Sequence, residues 1–327
     1  MELSSPCRLF VAGSSGMTGR AIVKKILDLQ QDITCVAASF TQKNSHCDSR
    51  VVEVSGDLRD AAVCHDLTKG CEAAILAAAT TGGILQNTSD PWRQVNDNLI
   101  MNARLLEALI QNGAKRIILI GSATSYQPVS GMVHESQMDW SIDPPAAYLG
   151  IGWVSRYLEK LCQFWHHKTG VEIIFIRAAN IYGPFAKFDP KTSNFIPALI
   201  RKIEDKPKCL SVLGNPSIQR DVIFIDDFAD ACISLMAAKQ IKFDVFNVGS
   251  SQAITVSEVV KNLLDISGLN GTTAVKYEEK DIATPQGRIL DCQKIRDVVG
   301  WEPQWPIHRG LEETYQWWAQ NKEIWKR

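Results

Sequence analysis

The chain has 327 residues, 45% hydrophobic and 22% charged, enough to bury a large core and to form one sizeable α/β unit with a smaller lobe. A formal net charge of −1 leaves no basic surplus for nucleic acid or an acidic lipid surface, and no apolar run approaches the roughly 18 residues that cross a bilayer. Nine cysteines at irregular spacing, with no C-x-x-C pair and no basic-apolar leader at the N-terminus, predict reduced thiols in a cytoplasmic protein, and the adjacent His166 and His167 cannot share one metal, so no metal site is expected.

Residues 9–12 form an apolar run long enough for one buried strand. Gly13, Gly16 and Gly19 follow, and Ala21, Ile22, Ile26 and Leu27 then recur at helical intervals. Strand, glycine turn and helix in that order predict a dinucleotide-binding unit of Rossmann type. Gly13 allows a turn with positive φ, Gly16 lets backbone approach a pyrophosphate, and Gly19 lets the helix pack against the strand. The helix N-terminus offers N–H groups and a positive dipole end to the phosphates, with Ser15 and Met17 in the same loop. The second strand, Ile33–Ser39, is followed by Phe40-Thr41-Gln42-Lys43. An acid at this point binds the adenosine ribose of NAD. Ser39 and Lys43 stand there instead, which favours the 2′-phosphate of NADP and leaves NAD open, Lys43 being otherwise a solvated loop charge.

A third strand over residues 51–54 leads into Gly56-Asp57-Leu58, where the acid can take the adenine amino group and the leucine can pack its ring. A fourth, over 73–79 and including Ala78, runs into Thr80-Thr81-Gly82-Gly83. A long helix over 91–112 stops at Asn112-Gly113, and a fifth strand over 116–120 opens into Gly121-Ser122-Ala123-Thr124-Ser125-Tyr126. Buried strands alternating with helices predict a doubly wound parallel sheet with ligands off its carboxyl edge, which puts Ser122 and Tyr126 at the mouth of the site. A helix over 147–168 carries Tyr148 near its start, and a sixth strand over 171–176 leads to Arg177-Ala178-Ala179-Asn180-Ile181-Tyr182-Gly183-Pro184. Beyond Pro184 the periodicity breaks. Strands over 221–225 and 245–248 flank a helix over 227–239, and two helices close the chain, over 291–299 and 310–325. Trp301, Trp305, Trp317 and Trp318 are expected to pack the smaller lobe rather than stack on a ligand. The dinucleotide-binding domain is expected over 1–178 and about 220–250, and a mixed α/β substrate lobe over about 179–219 and 251–327.

These motifs together resemble the extended short-chain dehydrogenase/reductase family over nearly the whole chain, and within it the GDP-L-fucose synthase-like nucleotide-sugar enzymes. The finer likeness rests on residues 77–84, 194–201 and 314–321. The resemblance implies an NAD(P)-dependent epimerase, reductase or dehydratase acting on a nucleotide-linked sugar. It implies Ser122 and Tyr148 as catalytic hydroxyls, Asn180 against the sugar, Arg220 on the substrate diphosphate, and Asn194, Arg201 and Arg288 also on the substrate side. It further implies a homodimer through the long helix and the tyrosine helix, where Trp153, Tyr157, Leu161 and Trp165 repeat at four-residue intervals.

The family's acid/base pair is Tyr-x-x-x-Lys, and here it reads Tyr148-Leu149-Gly150-Ile151-Gly152. The lysine is a glycine. The epimerising cysteine of the fucose synthases falls at Thr124 and their epimerising histidine at Asn194, neither a good proton carrier near neutral pH. Tyr148, Gly152 and Arg156 share a helical face, so Arg156 is a candidate substitute that reaches back over Gly152; its alternative is a pair with Glu159 or Glu172. His134 is a second candidate acid or base. On this reading a lysine returned to position 152 restores the pair. The competing reading is a binding or regulatory protein that keeps cofactor and sugar sites without turnover.

Overall fold

The computed structural model describes residues 7–40, 47–82, 92–278 and 287–325. Lys43 and Pro91 lie outside the described residues.

Seven short strands rich in Val, Ile, Ala and Cys form one parallel sheet. They are β1 (Cys7–Ala12), β2 (Ile33–Ser39), β3 (Val51–Ser55), β4 (Ala73–Leu76), β5 (Arg116–Ser122), β7 (Glu172–Ala178) and β12 (Phe243–Val248), in the order β12-β7-β5-β4-β1-β2-β3. Five of them have continuous buried runs because helices cover both faces. One face packs on α1 (Met17–Asp28) through Ile22, Val23 and Ile26, on α6 (Ile225–Ala237) through Phe228 and Cys232, and on α8 (Gln293–Val299) through Ile295. The other packs on α2 (Ala61–Leu67) through Cys64, on α3 (Asn98–Gln111) through Leu105, Leu106 and Leu109, and on α4 (Leu149–Thr169) through Val154, Leu158 and Cys162. The order reverses between β1 and β4, so a ligand crevice opens above their carboxyl ends.

The fourth strand stops at Leu76, three residues short of the expectation, and the chain continues as the loop that lines this crevice. A π-helical turn, Arg93–Asp97, precedes α3. There the Asn98 side-chain amide takes the Gln94 carbonyl at 2.7 Å, inserting a side chain into the backbone ladder.

A third apolar cluster joins α5 (Phe195–Glu204), β9 (Cys209–Leu213), α7 (Val256–Ile266) and α9 (Ile307–Asn321). Small two-stranded pairs complete the fold: β6 (Gly131–Val133) with β15 (Arg288–Leu290), β8 (Asn180–Tyr182) with β11 (Val222–Phe224), β10 (Gln219–Arg220) with β13 (Ile254–Thr255), and β9 with β14 (Ala274–Glu278). Trp305, Trp317 and Trp318 pack this third cluster. Trp301 does not: it belongs to the α1/α6 side of the sheet, donating from its indole to the Asp227 carbonyl. All nine cysteines are free thiols, and burial pushes Cys35 and Cys292 up to about 12.

Candidate active site

The glycine loop between β1 and α1 is built for close approach. Gly13 has φ 76°, and a Cβ on it would stand 2.7 Å from the Ala78 Cα; one on Gly19 would stand 2.2 Å from the Gly13 carbonyl oxygen. Any side chain at Gly13 would push the loop after β4 away, and any at Gly19 would push α1 off the glycine loop. Gly16 differs, because its Cβ would meet only the Gly13 oxygen at 3.4 Å, so that side is open. Gly16 caps α1 with no side-chain hydrogen bond, leaving N–H groups of the first turn to a ligand. Ser15 offers its carbonyl to Arg20 Nε at 3.0 Å, and Met17 opens the helix with its side chain against the third apolar cluster. These residues fit a dinucleotide pyrophosphate, and a nicotinamide cofactor bound there supplies a hydride acceptor or donor.

At the adenosine end, Ser39 closes β2 and its carbonyl accepts from Gly56 N. Asp57 is half-exposed and gripped by Arg59, whose Nη2 lies 2.7 Å from Oδ2 and whose Nη1 reaches Asp97 at 3.2 Å. Hydrogen bonds from Arg59 hold the Asp57 carboxyl below its ordinary range. The Arg59 guanidinium also lies 6.0 Å from the Phe40 ring centre. Leu58 is buried in the α3/α4 side of the core rather than offered to a ligand. Sequence reasoning missed Arg59, although its place directly after Asp57-Leu58 was a usable signal. It also missed Asn98, whose amide holds Thr80 N at 2.7 Å and Thr80 O at 2.9 Å, fixing the loop after β4.

Ser122 ends β5, and its Oγ accepts from Thr124 N at 3.2 Å and from Thr124 Oγ1 at 3.0 Å. Tyr126 is not at the mouth of the site. It is 0% exposed, accepts from Arg177 Nη1 at 2.8 Å and donates to Asn247 Oδ1 at 2.8 Å. Arg177 in turn pairs with buried Glu159 at 2.7 Å. The "mouth" expectation failed because a short helical turn, Ala123–Ser125, folds the chain back under the sheet edge after Ser122.

Half-buried Tyr148 caps α4, its N–H donating to the Pro145 carbonyl. Position 152 is closed. A Cβ there would stand 2.6 Å from Pro144 Cβ and 2.7 Å from the Thr124 carbonyl oxygen. The Asp143-Pro144-Pro145 loop and the serine loop therefore occupy the place where a lysine stem would start, which overturns the expectation that a lysine fits there.

Arg156 is 1% exposed. Its Nε donates to the Ser125 carbonyl at 2.7 Å, and its guanidinium lies 4.9 Å from the Trp153 ring centre and 5.9 Å from that of Trp140. Its two terminal nitrogens have no hydrogen-bond partner among the described residues. These contacts tie the tyrosine helix to the serine loop and do not include Tyr148, Glu159 or Glu172. His134, more than half exposed, lies 3.2 Å from Asp291.

Two guanidiniums, Arg220 on β10 and Arg288 on β15, lie within electrostatic range of Tyr148. Burial lowers the Arg220 guanidinium and brings Arg288 down to about 10, and the Tyr148 phenol opposes both shifts. Arg288 is held over the Tyr126 ring at 6.0 Å and keeps one buried terminal nitrogen, Nη1, without a hydrogen-bond partner among the described residues. Asp221, next to Arg220, is buried and accepts from Ser250 N, Ser250 Oγ and Leu290 N; burial raises its carboxyl. Exposed Asn180 donates to the Asp221 carbonyl at 2.9 Å. Asn194, also exposed, precedes α5 without a side-chain cap, and Arg201 lies on that helix with Nε buried and without a hydrogen-bond partner among the described residues.

Residues 9–249 match the model of the NAD dependent epimerase/dehydratase family. A GDP-L-fucose synthase of Sinorhizobium fredii is 29% identical over 98% of both chains. Among solved structures, an epimerase of Methanothermobacter thermautotrophicus superposes with a TM-score of 0.86 at 18% identity, over 98% of this chain and 94% of that one. A UDP-glucose 4-epimerase of Thermotoga maritima, solved with UDP-glucose, gives 0.83 at 20% identity over 96% and 99%.

Proposed function

The chain belongs to the NAD-dependent epimerase/dehydratase family, and from that membership we propose that it is an NAD(P)-dependent epimerase, reductase or dehydratase of a nucleotide-linked sugar with an atypical acid/base centre. The observation that carries this reading is the pair of guanidiniums, Arg220 on β10 and Arg288 on β15, that stand within electrostatic range of Tyr148. Tyr148 is the proton carrier for the sugar hydroxyl or ketone, and Ser122 with Thr124 orients that group. A phenolate formed at Tyr148 meets the two arginines instead of a lysine. Arginine cannot release a proton, so it stabilises the charge without relaying it. Arg220, Arg288, Asn180, Asn194 and Arg201 bind the sugar nucleotide, and the larger sheet unit and the third-cluster lobe act as cofactor and substrate domains.

NADP is the preferred cofactor on this reading, since no carboxylate ends β2. Calorimetry with both dinucleotides tests this, and tighter binding of NAD rejects it. The protein works as a cytoplasmic homodimer. Turnover is tested by following nicotinamide absorbance with 4-keto and 4-hydroxy nucleotide sugars. Tyr148→Phe is expected to abolish the change while leaving cofactor affinity within a few-fold. A second reading, a protein that binds cofactor and sugar nucleotide without turnover, is favoured by the closed space at Gly152. Binding of both ligands with no turnover on any tested sugar selects it.

A further inference from the structure

The loop that follows β8 belongs to the third-cluster lobe, yet it touches both rims of the crevice between β1 and β4. On one rim, the Arg20 guanidinium lies 4.7 Å from the Phe185 ring centre while its Nε holds the Ser15 carbonyl of the glycine loop. On the other, Lys187 Nζ donates to the Thr81 carbonyl at 3.2 Å, in the loop that Asn98 fixes through Thr80. Phe185 is held with φ 63°, a left-handed conformation that a bulky residue keeps only where its surroundings impose it. Here they do: the ring lies 4.8 Å from Trp317, and Phe188, three residues further on, stacks on Trp318 at 4.4 Å.

We propose that Phe185 and Lys187 form a strap over the dinucleotide crevice and that Lys187 is a cofactor-binding residue, donating to the oxygens of the bound diphosphate and nicotinamide ribose. The inference rests on the dinucleotide reading of the glycine loop. An ammonium has three donors, and among the described residues Lys187 makes one hydrogen bond, to a neutral carbonyl. Lys187 is solvent-exposed at the rim, so its other two donors stay open to a ligand in the crevice; partial desolvation lowers its pKa, with Asp189 opposing. The strap also gives this chain an ammonium on the cofactor in spite of the closed position 152, from a different element and a different direction.

The test is the affinity of NADPH, NADP, ADP-ribose and AMP for the full chain and for Lys187→Gln and Lys187→Arg. A charge-assisted hydrogen bond to the diphosphate half predicts that Lys187→Gln weakens the dinucleotide and ADP-ribose about tenfold or more. AMP, whose base and ribose lie at the β2 and β3 end, is expected to change less than twofold, and Lys187→Arg to recover most of the loss. Circular dichroism melting within one or two degrees of the parent shows that the variant is folded. Unchanged dinucleotide affinity in Lys187→Gln, or an equal loss for AMP, overturns the proposal. A parent that binds none of the four ligands fails the dinucleotide reading itself, and the strap with it.

Discussion

Gly152 is held by its neighbours and not merely vacated by a lysine. The Pro144 ring and the Thr124 carbonyl face the position its Cβ would take, and the latter is backbone. Gly152→Ala is therefore expected to lower stability by about 1–3 kcal/mol, as overpacking does, read from urea unfolding at pH 7. Gly152→Lys should do at least as much harm and bring no gain in turnover. A stable Gly152→Lys variant with faster hydride exchange would show that the Pro144 loop gives way. The Arg177–Glu159 pair poses the opposite problem, a site where something must stay. Both side chains are buried, and Arg177 also anchors the Tyr126 hydroxyl beneath the serine loop. Glu159→Ala leaves a buried guanidinium short of its counter-ion and should cost about 3–5 kcal/mol. A loss below 1 kcal/mol in the same unfolding experiment would mean that Tyr126 and the Glu135 carbonyl suffice for Arg177. Neither effect was legible in the sequence, because each depends on which loop packs against α4. The missing lysine itself was plain from the Tyr-x-x-x-Gly spacing.

Among the elements, α7 shows a local signal at work. Thr255 Oγ1 accepts from Glu258 N at 3.1 Å while the Glu258 carboxylate accepts from Thr255 N at 2.7 Å, a reciprocal cap that satisfies two helix donors. Thr255→Ala is expected to cost about 1 kcal/mol at pH 7. The backbone and hydroxyl bonds from Thr255 depress the Glu258 pKa in the folded state. Its contribution is thus present above the unfolded carboxylate pKa and is lost as pH falls through the folded value, so the parent-to-variant gap should narrow between pH 5 and pH 3. A gap that widens with acid would reject the reciprocal cap. The Thr-x-x-Glu signature at 255–258 stands in the sequence, inside the segment beyond Pro184 where the apolar periodicity breaks. α5 lies in that segment too, and its Pro197 sits in the first helical turn, where it removes no intrahelical bond. The sheet strands were legible to within a few residues, since apolar runs of this length covered on both faces have few alternatives.

For the molecule as a whole, the parallel sheet, its carboxyl-edge site and the glycine loop follow from periodicity and glycine spacing, whereas the long-range contacts, Arg59 on Asp97 and Lys187 on Thr81, join residues far apart in the chain and have no local signature. The surface of α4 lies between these cases. A four-residue repeat drifts about 40° per step around a helix, so the repeat from Trp153 to Trp165 spirals off one face. Trp153 and Tyr157 are exposed, as the repeat requires, but Leu161 and Trp165 have turned inward and pack against the α3/α4 core. The exposed set is instead Leu149, Trp153, Tyr157 and Phe164, which share about 80° of arc, with Ile100 of α3 also exposed. Large apolar side chains kept on one face of two adjacent helices are costly in water and self-complementary across a two-fold axis. Light scattering at micromolar concentration is expected to give twice the 36.3 kDa chain mass. Tyr157, 54% exposed, makes no hydrogen bond that holds the site, so Tyr157→Glu combined with Phe164→Glu should yield a folded monomer that still binds dinucleotide. If the parent is a monomer, or if the double variant remains a dimer, this face is not the interface. If the double variant is monomeric and also loses dinucleotide binding, the pairing of the two subunits supports the crevice through α3 and Asn98, and the dimer is part of the site rather than a way of covering apolar surface.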